Sequence, residues 1–335
     1  MRTKRNFMFR LSLLIFLWLS WYACARPQSI DLSEFAKKNA LSFSVQDKNL
    51  VLRNSTHNFR LTIDSKEAFL DGTKLFLTYK IEKQKGFFNN KSNKKTRSSR
   101  LKNVSEKYLI AQVDVQKTLH PLLFPKSFRK PSGKVIVIDP GHGGKAEGAQ
   151  NKALRLKEKN LTLQTAKLLA KKLKSRGYVT YLTRSKDTDV PLEKRTEFAN
   201  NKQADLFISI HYNAAGSKQA SGVETFVYSF ANHPSTERDV ATASDKVLGT
   251  INKFDEANTF LAWNIQNQLR LHLQLPDRGV RHGRMAVLKG LKCPGALIEC
   301  GFISNLQEAS TLKTNSYQES LTLSICEGIQ RYYLY

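Results

Sequence analysis

Four residues able to do chemistry stand where a strand-like run ends or a helical run begins. His142 follows "VIVID" in the bare loop "PGHGG", His211 follows "ADLFISI", Glu299 closes "GALIE", and Glu158 opens a helical stretch. Two histidines and a carboxylate are the ligand types of a catalytic zinc site that leaves its fourth position to water. A second carboxylate is what metal-assisted hydrolysis needs, to take a proton from the water and return it to the leaving amine. Gly141, Gly143 and Gly144 let the backbone turn sharply and leave room above His142. Asp139 is expected to hydrogen-bond the ring nitrogen that the metal does not use, fixing the tautomer. Asn213 and Arg195 are further candidates for supporting or substrate contacts.

Each residue also has a plainer reading. A glycine-rich loop after a strand can cradle phosphate, but "GHGGKAEGA" matches neither the P-loop nor the dinucleotide fingerprint. A glutamate at a helix start is favoured by the helix dipole alone. Glu299 differs, because "ALIECGF" otherwise suits burial and a charge there demands a partner. Two histidines in two strand-end loops favour a joint site over two structural accidents. His57, His120, His233, His272 and His282 stand in unremarkable polar or helical settings and receive no role.

The elements that must position these groups alternate along residues 134–335. "VIVID", "VTYLTR", "ADLFISI", "GVETFVY" and "GALIECGF" are strand-length apolar runs. Between them lie helical stretches: "KNLTLQTAKLLAKKLKSRGY", with Leu161, Leu168, Leu169 and Leu173 at helical spacing and Gly177 as a stop, then "PLEKRTEFANNK" and "EANTFLAWNIQNQLRLHLQL". "SYQESLTLSICEGIQRYY" is the last. This order predicts an α/β domain with a mostly parallel open sheet and helices on both faces. In such sheets functional groups gather beyond the carboxyl ends of the strands.

Residues 26–128 have another texture: a short amphipathic helix in "DLSEFAKKNAL", then strand-like "SFSVQ", "NLVLRN", "FRLTID" and "AFLDGTKLFLTY" with a turn at Asp71–Gly72. They predict a small strand-rich α+β module for binding or spacing, interrupted by a basic flexible loop at 89–103. "FPKSFRKPSG" marks the boundary with the second domain. Residues 1–25 read as a signal peptide, with a basic start, the apolar run "LSLLIFLWLSWY" and small residues at Ala23 and Ala25. An uncleaved anchor is the alternative. Lipid attachment at Cys24 is disfavoured by Trp21. The chain is therefore expected to be exported to the periplasm. The formal net charge of +26 then points to an acidic wall polymer or an anionic membrane surface reached through basic segments, and not to nucleic acid. Cys293, Cys300 and Cys326 have no close-paired metal spacing and read as mostly buried small hydrophobes, with one disulfide among them as the alternative.

"VIVIDPGHGG", "KEKNLTL", "LTRSKDTDVPLEKRTEFAN", "ADLFISIHYNAA" and "RGVRHGRMAVLKGLKCPGALIECGFISN" occur in an order that resembles the type 3 zinc N-acetylmuramoyl-L-alanine amidases, over 134–335. That resemblance implies a Zn2+ held by His142, Glu158 and His211, with Glu299 as general base. It implies cleavage of the amide between N-acetylmuramic acid and L-alanine of peptidoglycan, in wall remodelling or daughter-cell separation. The expected partners are peptidoglycan or its lipid-linked precursor, and an activator protein. Residues 30–125 loosely resemble the N-terminal module named after copper amine oxidases. Two departures stand out. Ala146 occupies a position that is often acidic in the family. The stretch 232–255, where regulated members carry a blocking helix, lacks amphipathic periodicity, so weak or no self-inhibition is expected. Two other readings compete: a zinc carboxypeptidase on stem peptides, for which Arg184, Arg195, Arg281 and Arg284 are candidate carboxylate clamps, and a silent wall-binding protein.

Overall fold

The computed structural model describes residues 27–87 and 104–335. The expected leader (1–25) and basic loop (89–103) lie outside the described residues.

A short strand, β1 (Ser29–Asp31), leads into helix α1 (Leu32–Lys38), whose N-cap Asp31 accepts the Ser33 N–H at 2.9 Å. An antiparallel meander follows: β2 (Ser42–Gln46), β3 (Asn49–Arg53), β4 (Asn58–Thr62), β5 (Glu67–Leu70) and β6 (Thr73–Phe76). The β5–β6 turn is at Asp71–Gly72, both in the left-handed region. β7 (Glu82–Phe87) and β8 (Val104–Ala111) form a separate three-stranded sheet with β1. A helical run over residues 112–123 then crosses to the second half of the chain.

That half contains β9 (Val135–Pro140), the small hairpin β10 (Gln150–Asn151) and β11 (Leu156–Lys157), and helix α2 (Glu158–Ser175). The expected stop holds. Gly177 has φ +82°, and the Gly177 and Tyr178 N–H groups bond back to Lys174 and Leu173, closing the helix in a Schellman turn. Next come β12 (Val179–Leu182), α3 (Leu192–Asn201), β13 (Leu206–Asn213) and β14 (Val223–Tyr228). They are followed by α4 (Asp255–His272), β15 (Asp277–Gly283), α5 (Ala286–Lys289) and β16 (Gly295–Phe302), then α6 (Leu306–Leu312) and α7 (Asn315–Leu334). β15 and α6 have no counterpart in the sequence reading. In "DRGVRHG" only Val280 is apolar, so no period is visible; pairing with β14 on one side and β6 on the other makes it a strand.

One 11-stranded sheet runs β12-β9-β13-β16-β14-β15-β6-β5-β4-β3-β2. The predicted mixed α/β layering with a large sheet is present. β12, β9, β13 and β16 are parallel, and β14 opposes β16. The strands read as a separate N-terminal module continue this same sheet, joined by the parallel contact of β15 with β6 at Val280 and Leu75.

Alternation decides which side chains reach which layer. Ile136, Ile138, Ile208, Ile210 and Ile298 face the main core under α2, α4 and α7, whereas Val137, Phe207 and Leu297 face a smaller core with Val287 and Leu288 of α5. The strands therefore read as unbroken apolar runs. Cys293, Cys300 and Cys326 are buried and unpaired, as expected of small hydrophobes. No described helix is long and apolar enough to cross a membrane.

Candidate active site

Sheet parity puts Asp139, Ser209, His211, Glu299 and Glu224 on the same face, opposite the one that packs against the long helices. Register aligns Ser209 with Asp139, His211 with Glu299, and Glu299 with Glu224. Helix α2 starts beneath the same edge and delivers Glu158 from its first residue. His142 Nε2 lies 3.1 Å from Glu158 Oε2, and His211 Nδ1 lies 3.0 Å from Glu158 Oε1. Ligand-type atoms of the three residues fall within 4.8 Å of one another.

Two glycines leave room for the cluster, Gly141 within "PGHGG" and Gly148 beyond it. A Cβ on Gly141 would lie 2.3 Å from the His211 ring, and one on Gly148 would lie 2.5 Å from Glu158 Oε2 and 2.7 Å from the His142 ring. His142 itself adopts φ +60°, a conformation a non-glycine residue keeps only when its surroundings enforce it. Two buried arginines do so. Arg184 donates to the Pro140 and Gly141 carbonyls, and Arg195 to those of Pro140 and His142. Lys159 and Asp187 pin the loop two residues on: Lys159 Nζ binds the Gly144 carbonyl at 2.8 Å, and Asp187 accepts the Gly144 N–H at 2.7 Å.

Glu158 is buried and saturated. Besides the two histidines, it accepts the Ala149 N–H at 2.8 Å and the Tyr212 N–H at 3.1 Å. Burial opposes its ionisation, but His142 and His211 outweigh burial and hold the carboxyl below the usual range. Glu299 is treated in the opposite way. Its Oε2 is buried without a hydrogen-bond partner, and burial, with Glu158 and Glu224 nearby, pushes its carboxyl well above the usual range. An orphaned buried oxygen on a carboxylate is costly unless something else engages it.

Asp139 does not meet a histidine ring, which corrects the sequence expectation. It is fully buried and accepts from Thr183 Oγ1 at 2.5 Å, Arg195 Nη1 at 2.8 Å and Ser209 Oγ at 2.8 Å. It orients Arg195, which in turn holds the His142 backbone. Asn213 lies beside the row and donates to Glu224 Oε1 at 2.6 Å. Glu224 went unread in the sequence, although a charge within "GVETFVY" is the same signal that drew attention to Glu299. Glu308 was missed too. Its carboxylate accepts the N–H groups of Phe302 and Gly222, fastening the end of β16 to the approach to β14.

The four arginines offered as carboxylate clamps are all engaged. Arg184 and Arg195 serve the loop, Arg281 pairs with Glu224 and Glu237, and Arg284 binds Asp245 and the carbonyls of Phe230 and His233. Residues 232–255 contain two short 3-10 turns, Ala243–Lys246 and Thr250–Phe254, with no blocking helix. Glu237 of this stretch pairs with Arg281, not with the histidine cluster.

The model of the family described as N-acetylmuramoyl-L-alanine amidase matches residues 136–331. The chain belongs to this family. The germination-specific N-acetylmuramoyl-L-alanine amidase of Bacillus subtilis is 34% identical over 218 residues, covering 60% of this chain and 81% of that protein. AmiA of Escherichia coli is 31% identical, covering 67% and 84%. AmiC of Escherichia coli is 34% identical, and the match spans 52% of its length and 59% of this chain. Among solved structures, the Clostridium difficile 630 amidase is similar at TM-score 0.50 and 32% identity, covering 60% of this chain and 97% of that one. AmiC2 of Nostoc punctiforme gives TM-score 0.51 at 29% identity, covering 61% and 100%. Strands β1–β8 lie outside the matched residues.

Proposed function

We propose that this chain is an exported zinc hydrolase that cleaves the amide between N-acetylmuramic acid and L-alanine of peptidoglycan. The observation that carries the reading is the apposition of His142, Glu158 and His211 around one point, with the unpartnered Glu299 carboxylate in register with His211. The donor set fits zinc. It combines two imidazoles with a buried carboxylate held charged by its neighbours, and the orphaned carboxylate beside it stays outside the ligand set. When bound, zinc would supply Lewis acidity, polarising the scissile carbonyl and lowering the pKa of water to about 7.

The rest falls to the chain. Glu158 stays ionised and keeps both histidines turned inward. Arg184 and Arg195 hold the His142 loop against rearrangement when substrate binds. Glu299 takes the proton from the attacking water and delivers it to the departing L-alanine nitrogen, so one carboxylate serves both halves of the reaction.

The full occupation of Arg184, Arg195, Arg281 and Arg284 favours the amidase over the carboxypeptidase, which requires a cation free to hold a terminal carboxylate. The basic and apolar leader sequence supports export to the periplasm, and a wall substrate supports a role in remodelling or daughter-cell separation. A Clostridioides difficile relative, CwlD, was solved in complex with the GerS lipoprotein, which supports the expectation of a protein partner here.

The test is mass spectrometry of products from defined muropeptides, with and without a chelator. Release of intact peptide with a free N-terminal L-alanine, abolished by the chelator, is the expected result. Loss of only a terminal D-alanine would replace this reading with the carboxypeptidase. No cleavage, with zinc content near zero, would leave a wall-binding protein.

A further inference from the structure

The row of residues that carries Glu299 does not stop at the catalytic half of the sheet. Glu224 stands opposite Glu299, and Gly279 opposite Glu224. Gly279 has φ +87°, and a Cβ there would lie 2.8 Å from Lys74 Cγ, so Lys74 of β6 packs directly over Gly279 and takes the next place in the row. Lys74 stands opposite Phe69, and Phe69 opposite Arg60. From Glu299 to Arg60 is five strand steps, about 24 Å.

Side chains along this path touch in sequence. Arg281 Nε lies 3.0 Å from Glu224 Oε2, while its guanidinium carbon sits 4.6 Å over the Phe76 ring. Lys74 Nζ lies 5.7 Å from the Phe69 ring centre and 5.9 Å from that of Phe76, and Arg60 sits 4.5 Å over Phe69. An aromatic ring beneath a guanidinium holds it extended while leaving its N–H edge free for an anion. Arg60 is exposed and Lys74, Phe69 and Phe76 are half-buried. The opposite face of the same strands, with Leu50, Phe59, Leu61 and Leu75, is fully packed. Among the described residues no helix covers the Arg60 face, and a 360 Å³ hollow lies over Asn49, Arg53, Asn58 and Arg60. Arg53, Arg60 and Lys74 are the cations there; of the acids, Glu67 pairs with Lys74 at 3.1 Å and Asp71 with His57 at 2.7 Å, which leaves Arg53 and Arg60 without a carboxylate partner among the described residues.

We infer that this uncovered face of β4–β6 is a second part of the substrate cleft, which binds the carboxylate-bearing peptide arms of the peptidoglycan strand whose amide lies at Glu299. This rests on the function proposed above. The continuous row from Glu299 argues for the same polymer at both ends, and the charge is complementary to peptide carboxylates. Polymeric wall would then be held at two points and a single muropeptide at one.

The experiment compares the full chain with Arg60→Gln/Lys74→Gln, on intact wall sacculi and on one soluble muropeptide. The expected result is a kcat/KM on sacculi lowered about tenfold with the muropeptide rate unchanged. Co-sedimentation with sacculi in a Glu299→Gln background provides a reading independent of turnover; the double substitution should reduce the bound fraction. Failure of the parent chain on both substrates would overturn the proposed function, whereas the sedimentation result would still decide the face. Equal rates and equal sedimentation for parent and variant would overturn the inference. So would loss of binding only to anionic phospholipid vesicles, which would make this a membrane-facing surface. Should the double variant melt at a much lower temperature, Arg60→Gln alone, at an exposed position, serves in its place.

Discussion

The two halves of the 11-stranded sheet follow different rules. From β12 to β15 the strands are mostly parallel, helices cover both faces, and the polar groups described at the carboxyl edge, Glu299 apart, are tied down by others. Glu158 alone meets two backbone N–H groups and two histidines. From β6 to β2 the strands are antiparallel, one face is packed, and the other presents exposed or half-buried cations over aromatic rings. The difference teaches where rigidity resides. The groups proposed to hold a metal are surrounded, and the surface proposed to meet a large polymer is left open.

The largest effect should come from removing Glu299, the carboxylate at that edge whose oxygen has no partner. Glu299→Gln is expected to lower turnover by about 10²–10⁴ while zinc stoichiometry, measured by atomic spectroscopy, stays near that of the parent. Loss of zinc would move Glu299 into the ligand set. Next comes a methyl group where the covered half has no room. Gly141→Ala drives a Cβ into the His211 ring and should weaken zinc affinity about 10–100-fold, whereas Gly216→Ala, which meets nothing within 4 Å, should leave it unchanged. Arg195→Lys keeps the charge but loses the fork that joins Asp139, Pro140 and His142. A drop of about tenfold in zinc affinity, followed by competition with a chromophoric chelator, is expected.

A smaller effect is confined to stability. Burial pushes the Asp255 carboxyl, at the start of α4, from 3.8 to about 7, against the pull of Asn252, Lys117 and Arg284. Between those values the native state keeps a proton that the unfolded chain releases, so stability falls as pH rises through that window and levels off above it. Asp255→Asn should remove this slope, and thermal melts between pH 4 and pH 8 would show it; an unaltered slope would place the loss of stability with rising pH elsewhere. The smallest effect belongs to the open half. Arg60→Gln is expected to change stability by no more than about 0.5 kcal/mol. A larger loss would mean that the uncovered face is structural.

Much of the covered half was legible beforehand. Periodicity marks α2, α4 and α7, and apolar runs mark β9, β13 and β16, because both are properties of neighbouring residues. β15 was not legible. Its seven residues contain two glycines and three charges that acquire strand geometry only by pairing on both sides. Asp139 shows the same limit. Its position beside His142 in the chain suggested a ring partner, yet strand alternation turned it toward Ser209 and Arg195 instead.

The sequence by itself determined the donor types, His142, Glu158, His211 and Glu299, and their places at strand ends and a helix start, since side-chain identity and local period are written in the chain. Only the tertiary structure decided which partners each receives. Cross-strand register between segments far apart in sequence sets Glu299 against His211 and Glu224, leaves its oxygen unpartnered, and carries the same row out to Lys74 and Arg60. A one-residue slip of any of these strands would turn its side chain to the other face, and what prevents the slip is the packing of the whole sheet.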